Sequence, residues 1–190
     1  MQNMSEEKSE KDRIMSERIS VILSDTSFDF SVRGLQEIHL LLFNGISRRA
    51  GEFRNKYNPR KKEAVLQGSS VMYAESSEIP KLLEKLILEE QNFDYSVLEP
   101  EEKIKQLSRF FSDLWKIHPF YDGNTRSTTL FMIKRMRALG FNIDNIRFAQ
   151  NASFFRDCLA LSAYENRRQS RDFSYLEQFL KDIFNSLREG

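Results

Sequence analysis

The sequence predicts an all-α fold, a bundle of helices interrupted by one small β-hairpin. Over most of the 190 residues, apolar side chains recur at the three- and four-residue spacing of amphipathic helices. Helix-start and helix-stop signals such as Pro80 and Gly140 separate these stretches. Only residues 64–73 carry a β signal, two short apolar runs around a glycine turn.

The first 30 residues are predicted to form a polar N-terminal arm or helix, and residues 31–190 a single domain. Residues 2–13 are almost wholly polar, which is typical of a solvated or frayed segment. A short apolar stripe with helical spacing follows at Ile14, Ile19, Ile22 and Leu23. A helix with one strongly apolar face is then expected over about 31–45.

A basic loop and the predicted hairpin occupy the next part of the chain. Residues 47–62 hold seven Lys and Arg side chains around Asn58 and Pro59, which favours a loop with a solvated surface. In the hairpin, the runs 64–67 and 71–73 flank Gly68.

Five further helices are predicted beyond the hairpin. The first starts near Ser76 and Ser77 with Pro80 in its first turns, and the second spans about 99–117. The others are expected over about 124–139, 150–166 and 173–187.

Composition limits the classes of function. The formal net charge is +1, which argues against a nucleic-acid protein held by bulk charge. Cys158 is the only cysteine, so an intrachain disulfide is excluded, and its apolar surroundings predict a buried packing residue. Neither a signal peptide nor a run of about 20 apolar residues is visible, so we expect a soluble, cytoplasmic protein without nucleic-acid or membrane partners.

The segment 117–127 carries the chemistry. A helix ends near His118, Gly123 permits a tight turn, and a new helix opens at once. A helix start offers unpaired N–H groups and a positive dipole end, which suit a phosphate. Arg126 in the first turn opposes that dipole, a conflict that a bound anion would remove.

Two more side chains complete this inventory. Asp122 precedes the helix start and suits Mg²⁺, which usually takes one or two carboxylates plus substrate phosphates. Histidine accepts protons near neutral pH, so His118 is a candidate general base. Because phosphoryl and nucleotidyl transfer need mainly positioning and charge stabilisation, the segment is sufficient for either reaction.

The segment resembles the signature of the Fic family, His-Pro-Phe-x-Asp/Glu-Gly-Asn-Gly-Arg-x-x-Arg. The match extends from His118 to Arg126. Upstream, the run from Ala50 to Arg54 resembles the Ala-Gly-x-x-Arg of the family, and the predicted hairpin resembles its "flap". The similarity covers about residues 31–182 and implies a Fic-type helical bundle.

The resemblance implies a protein adenylyltransferase that moves AMP from ATP to a Ser, Thr or Tyr hydroxyl of a target protein, with Mg²⁺. His118 would be the general base, and Asp122 would hold the metal. The other implied positions contact ATP or the target. Those toward ATP are Gly123, Asn124, Thr125, Arg126, Phe154 and Phe155; those of the target-docking flap are Leu66, Gln67, Gly68, Val71, Met72 and Tyr73.

Two departures from the signature leave alternatives open. Thr125 replaces the second glycine, and Thr129 replaces the closing arginine. A Doc-like phosphotransferase and a degenerate module that binds a partner or nucleotide without catalysis are therefore the competing hypotheses. The basic loop 48–62 is one candidate source of a compensating cation.

Control of the activity is the least determined feature. Many relatives carry an inhibitory Ser/Thr-x-x-x-Glu-Gly/Asn segment, and Glu189 near the end of the chain is a poor match to it. An antitoxin-like inhibitory partner or a different control is the alternative. As partners, a protein substrate and a homo-oligomer are also considered. His39 faces an apolar helix and is expected to be structural. The sequence has no zinc-binding, P-loop or Rossmann motif.

Overall fold

The computed structural model describes residues 2–56, 63–143 and 145–185, with side chains from residue 10 to residue 184. Glu189 and much of the basic loop lie outside these residues. Within them the chain forms eight α-helices: α1 Gln2–Ser24, α2 Val32–Phe43, α3 Ile79–Gln91, α4 Pro100–Ile117, α5 Asn124–Ala138, α6 Asn145–Gln150, α7 Ala152–Ala163 and α8 Ser174–Asn185. The predicted all-α fold is confirmed.

Helix α4 forms the centre of the bundle and packs against α3, α5, α7 and α8. Its start is set by Pro100 in the first turn and by a capping box between Glu99 and Glu102. Its apolar stripe is fully buried at Leu107, Phe111, Leu114 and Trp115. The helix that ends at the candidate base is therefore held by the core.

Helix α5 is buried on more than one face, between α1, α2 and α4. Phe131, Met132 and Ile133, three successive residues that point in different directions, are all inaccessible to solvent. The helix that begins at the signature loop is thus a core helix, and its N-terminal end opens to a cavity.

The segment predicted as a hairpin is not a hairpin. Residues Ala64–Leu66 form a 3₁₀ turn, and Gln67 is left-handed at φ 52°. Across the described ranges the one β-type pairing is an isolated bridge between Asn166 and Gln169. The prediction was wrong because the apolar residues of these short runs, Leu66 and Val71, are buried in the helical core rather than paired across strands.

Two other helix predictions differ in their bounds. The polar start of the chain is one helix continuous with the following apolar stripe, and this helix α1 packs on α2 and α5. The helix expected over 150–166 is two helices, α6 and α7, with Asn151 between them. Among the described helices, none has the length and apolar character needed to cross a membrane.

Candidate functional site

His118 lies directly after α4 in the left-handed conformation, with φ 52° and ψ 59°. Its ring stacks on Tyr73, with 3.9 Å between ring centroids and 19° between planes. Trp115 contacts it edge-on, with centroids 5.8 Å apart. The side chain is only 8% exposed. The candidate base is therefore held in one orientation by aromatic packing.

Arg54, the last residue of the Ala-Gly-x-x-Arg segment, fixes the backbone around that base. The side chain is 2% exposed, and its Nε donates to the His118 carbonyl over 2.7 Å. The Arg54 backbone N–H donates to the Pro119 carbonyl over 2.8 Å. Its Nη2 donates to the carbonyls of Ile117 and Ala74. Arg54 thus satisfies carbonyls that the end of α4 leaves without helical partners.

Asn124 closes the loop that follows. Its Oδ1 accepts from the Phe120 N–H and its Nδ2 donates to the Phe120 carbonyl, both over 2.8 Å. The side chain is buried and holds the turn, instead of capping α5 as its residue type suggested. Gly123 precedes α5 at φ 71°, and its N–H donates to Asp122 Oδ1 over 2.8 Å.

Helix α2 supplies the floor of the loop. A Cβ on Gly123 would lie 2.2 Å from the Phe43 ring, so only glycine fits there. Phe120 is fully buried and stacks on His39, with ring centroids 3.8 Å apart. Phe120 is thus a core residue beneath the loop.

His39 is structural, as predicted. The Gly51 N–H donates to Nδ1 over 2.8 Å, so Nδ1 carries no proton. Nε2 then carries the proton and donates to the Asp122 carbonyl over 3.1 Å. Burial lowers the pKa of His39, while its contact with the Asp122 backbone acts in the opposite direction. The neutral ring ties α2 to the loop.

A cavity of about 210 Å³ opens at the start of α5. Its lining combines the candidate base, the exposed carboxylate, the first turn of α5 and two arginines. These residues are His118, Tyr121, Asp122, Gly123, Asn124, Thr125, Arg126 and Arg156. The first N–H groups of α5 have no carbonyl partners within the helix and are available to an anion.

Two cavity residues escaped the sequence interpretation. Arg156 comes from α7, thirty residues beyond Arg126, and no local motif marks it. Tyr121 holds the variable position of the signature, and its hydroxyl accepts from Arg49 Nη1 over 2.9 Å and from the Asn55 N–H over 3.0 Å. It therefore joins the loop to the start of the basic segment.

A second, mostly apolar cavity of about 220 Å³ shares Thr125 and Arg126 with the first. Phe155 lines it and is 2% exposed. Phe154 is 51% exposed and is not among the lining residues of either cavity. Phe154 and Phe155 were both expected to contact ATP. Only Phe155 lines the apolar cavity next to the start of α5.

The two residues that depart from the signature have defined places. Trp115 Nε1 donates to Thr125 Oγ1 over 3.0 Å, so this hydroxyl is engaged with the core. Thr129 Oγ1 donates to the Thr125 carbonyl over 2.7 Å, and Thr129 lines the apolar cavity. Thr125 is thus accommodated without disturbing the start of α5, whereas Thr129 brings no charge.

The predicted flap residues divide into buried and exposed sets. Leu66, Val71 and Tyr73 are buried, and burial with the nearby Glu63 raises the pKa of Tyr73 to about 12. Gln67, Gly68 and Met72 are exposed. The segment thus presents a partly apolar surface beside His118, although it lacks the strand conformation expected of it.

Metal binding at this site would involve Asp122. In the part of the chain that the structure describes, no three His, Cys, Asp or Glu side chains converge to hold a metal. A single exposed carboxylate on a phosphate-sized cavity nevertheless suits Mg²⁺, which keeps several waters and substrate phosphates. The donor set fits a metal that arrives with a nucleotide.

Fold and loop together define a helical bundle in which a helix start opens to a cavity next to a histidine. The model of the Fic/DOC family matches residues 29–135, more than half of the chain. The chain belongs to the Fic/DOC family.

Solved structures share this fold at low sequence identity. The BepC protein of Bartonella tribocorum, a VirB-translocated effector with bound AMPPNP, has a TM-score of 0.71 and 18% identity over 93% of this chain and 85% of that one. The N-terminal Fic domain of a Bartonella quintana Bep effector with bound ADP has a TM-score of 0.69 and 20% identity, covering 93% and 83%.

One curated relative is a much longer viral protein. The ribonucleoside-diphosphate reductase small chain of Ostreid herpesvirus 1 (isolate France) is 28% identical over 138 residues, 68% of this chain. The chain spans 23% of that protein's length. The similarity therefore concerns a part of the viral protein, and the reductase function of the whole is not carried over.

Proposed function

We propose that this protein is a protein adenylyltransferase that moves AMP from ATP to a hydroxyl of a target protein. The observation that carries the proposal is the convergence of His118, Asp122 and Arg126 on one cavity at the start of α5. The Fic/DOC family match supports a transferase of this kind.

The two adjoining cavities support a nucleotide as the substrate. The polar cavity offers N–H groups, Arg126 and Arg156 to the phosphates. The apolar cavity, with Phe148 and Phe155 in its lining, would receive the base. The BepC and Bartonella quintana structures were solved with AMPPNP and ADP, which supports an adenine nucleotide here as well.

In the proposed reaction, the target hydroxyl oxygen attacks the α-phosphorus and the bond to the β-phosphate bridging oxygen breaks. Diphosphate leaves, and His118 accepts the hydroxyl proton. Asp122 would hold Mg²⁺, which neutralises phosphate charge when bound. The α5 start and Arg126 would hold the phosphates in line with the attacking oxygen. Such a reaction draws on the ATP of a cytoplasm, where we place the activity.

The target would dock along the predicted flap residues. Tyr73 contacts the His118 ring, so a segment bound beside Met72 would present its hydroxyl near the base. An extended target could hydrogen-bond to exposed backbone of this segment and thus tolerate varied sequence. Such docking requires residues 66–73, which form a turn followed by irregular backbone, to become extended.

The test uses ATP labelled at the α-phosphate and, in parallel, at the γ-phosphate, with Mg²⁺ and cell lysate as the source of target. The variants are His118→Ala and, as control, Arg109→Ala on the exposed face of the same helix. Protein-bound α-label that is lost in His118→Ala, by about 10²-fold or more, and kept in Arg109→Ala is the expected result.

Other outcomes redirect the assignment. Protein-bound label from the γ-phosphate alone would establish the Doc-like phosphotransferase, for which Thr125 in place of the second glycine of the signature is the favouring feature. Tight ATP binding without transfer would mark a binding module or one that requires a partner. Label that persists in His118→Ala would overturn the role of the base.

A further inference from the structure

Arg156 forms the most enclosed ion pair on the cavity wall. Its Nη1 and Nη2 donate to the two carboxylate oxygens of Glu63 over 2.8 and 2.9 Å. The Glu63 side chain is only 4% exposed, whereas that of Arg156 is 38% exposed. The carboxylate thus lies behind the guanidinium, and the guanidinium is the partner with access to the cavity.

The guanidinium retains capacity for a second anion. Arginine has five N–H donors in a planar fork, and the Glu63 carboxylate uses two of them. Arg126, the other arginine of the cavity, has its guanidinium 5.0 Å from the centre of the Phe43 ring. A nucleotide carries several negative charges, so a single arginine leaves them incompletely balanced.

Glu63 also organises the segment next to the base. Its N–H donates to the Ser69 carbonyl over 2.9 Å, and its carbonyl accepts from the N–H groups of Leu66 and Gly68. The Glu63 side chain therefore connects the turn at residues 63–69 to α7. Glu63 is thus a direct contact between the Arg156 side chain and that turn.

We propose that Arg156 is a phosphate-binding residue of the nucleotide site and that Glu63 competes with the bound phosphate for it. This inference rests on the proposed nucleotide function. Arg156 supplies the cation that Thr129 lacks, from a different helix. Glu63 neutralises that cation before the nucleotide binds and loses part of its contact afterwards.

A purely structural ion pair makes the opposite prediction for Glu63. If the pair only positions α7 against residues 63–69, removing either charge disturbs the cavity in the same way. If Glu63 competes with phosphate, removing its charge improves nucleotide binding while removing that of Arg156 weakens it. The sign of the Glu63→Gln effect therefore separates the two roles.

The experiment measures AMPPNP and adenosine binding by calorimetry, with Mg²⁺, for the full chain and four variants. These are Glu63→Gln, Arg156→Gln, the double variant, and Glu90→Gln as control. Glu90 is an equally buried carboxylate that pairs with Arg135 and lies outside the cavity. Thermal unfolding of each variant reports whether it folds.

We expect Arg156→Gln to weaken AMPPNP binding about tenfold or more, the effect of losing charged hydrogen bonds. Glu63→Gln should tighten it about threefold or more, and the double variant should match Arg156→Gln. Adenosine binding should not change, because adenosine has no phosphate. Glu90→Gln should lower stability and leave both affinities unchanged.

Weaker or unaltered AMPPNP binding by folded Glu63→Gln would overturn the competition, and equal changes for adenosine would overturn the phosphate contact. If Arg156→Gln does not fold, Arg156→Lys, which keeps the charge but not the fork, replaces it and should weaken AMPPNP binding less severely. Failure of folded wild-type protein to bind AMPPNP would remove the proposed function and this inference together. If the wild-type protein binds AMPPNP but the Glu63→Gln and Arg156→Gln variants do not change its affinity in the expected directions, only this inference is overturned.

Discussion

The loop 118–126 and the segment 63–73 meet at His118 but are stabilised in different ways. The backbone of the loop is fixed by hydrogen bonds: the Asn124 amide bridges both polar groups of the Phe120 backbone, and Arg54 and His39 bind the carbonyls of His118 and Asp122. The segment is held mainly by its side chains: Leu66, Val71 and Tyr73 are buried in the helical core, and Glu63 forms an ion pair with Arg156.

This difference suits two different tasks. A cradle for phosphate must be preorganised, since its donors act only if they are in place before the charge develops. A surface that docks varied targets is less constrained at its exposed positions, here Gln67, Gly68 and Met72, because these side chains do not pack in the core. Substitutions in the loop should therefore cost more than equivalent substitutions in the segment.

The largest difference in unfolding free energy is expected between the Gly123→Ala and Gly68→Ala variants. Both glycines have positive φ, 71° and 83°, but a new Cβ meets the Phe43 ring only at position 123. Gly68→Ala should lose about 1–2 kcal/mol of unfolding free energy from backbone strain. Gly123→Ala should lose about 2–5 kcal/mol from strain and overpacking, measured by urea unfolding. Equal losses would contradict the account of the cradle.

Asn124→Ala tests the hydrogen bonds that close the loop. It leaves the buried N–H and carbonyl of Phe120 without their partner, so we expect a loss of about 2–3 kcal/mol in unfolding free energy. Nucleotide affinity should fall as well, because the helix start is displaced. Asn151→Ala, which removes one exposed bond to the Arg147 carbonyl, is the control and should have a much smaller effect.

The neutral state of His39 gives the loop a pH dependence. Because burial lowers the folded-state pKa below the unfolded value of about 6.5, the unfolded chain binds the proton more readily. Unfolding free energy should thus fall as the pH drops through about 6.5 and further, until the folded-state pKa is passed. The chain has two histidines, so the His118→Ala variant shows how much of the pH dependence of the unfolding free energy remains when His39 is the only histidine.

His39→Gln is the decisive variant for this dependence. It should lose the His39 part of the slope between pH 7 and pH 5 in a series of urea titrations. An unchanged slope in His39→Gln would show that protonation of this ring does not weaken the contact between Gly51, His39 and Asp122.

The smallest change in unfolding free energy is expected for Tyr73→Phe in the segment 63–73. Within the described residues the Tyr73 hydroxyl is buried without a hydrogen-bond partner, so its removal costs no bond. Unfolding free energy should change by less than about 1 kcal/mol, toward higher stability. The ring stacking on His118 is retained, so transfer activity should persist. A loss above about 2 kcal/mol would mean that the hydroxyl is satisfied in solution.

Sequence reasoning reached most of the loop but little of the segment. His118, Gly123 and Arg126 were placed from local signals, because a left-handed glycine and a helix start depend on neighbours in the chain. Asn124 was expected among the positions toward ATP, and the structure adds that its buried amide bonds to the Phe120 backbone. Arg156 was missed because α7 reaches the cavity only through packing.

The sequence by itself determined the helical fold, the family and the place of the signature loop between two helices, because apolar periodicity, turn residues and a short signature act within a few residues of one another. The tertiary structure alone decided that residues 64–73 form no hairpin, that Phe155 and not Phe154 lines the apolar cavity, and that Glu63 pairs with Arg156. These outcomes depend on which distant side chains share the core, and burial of Leu66 and Val71 there outweighs their preference for strands.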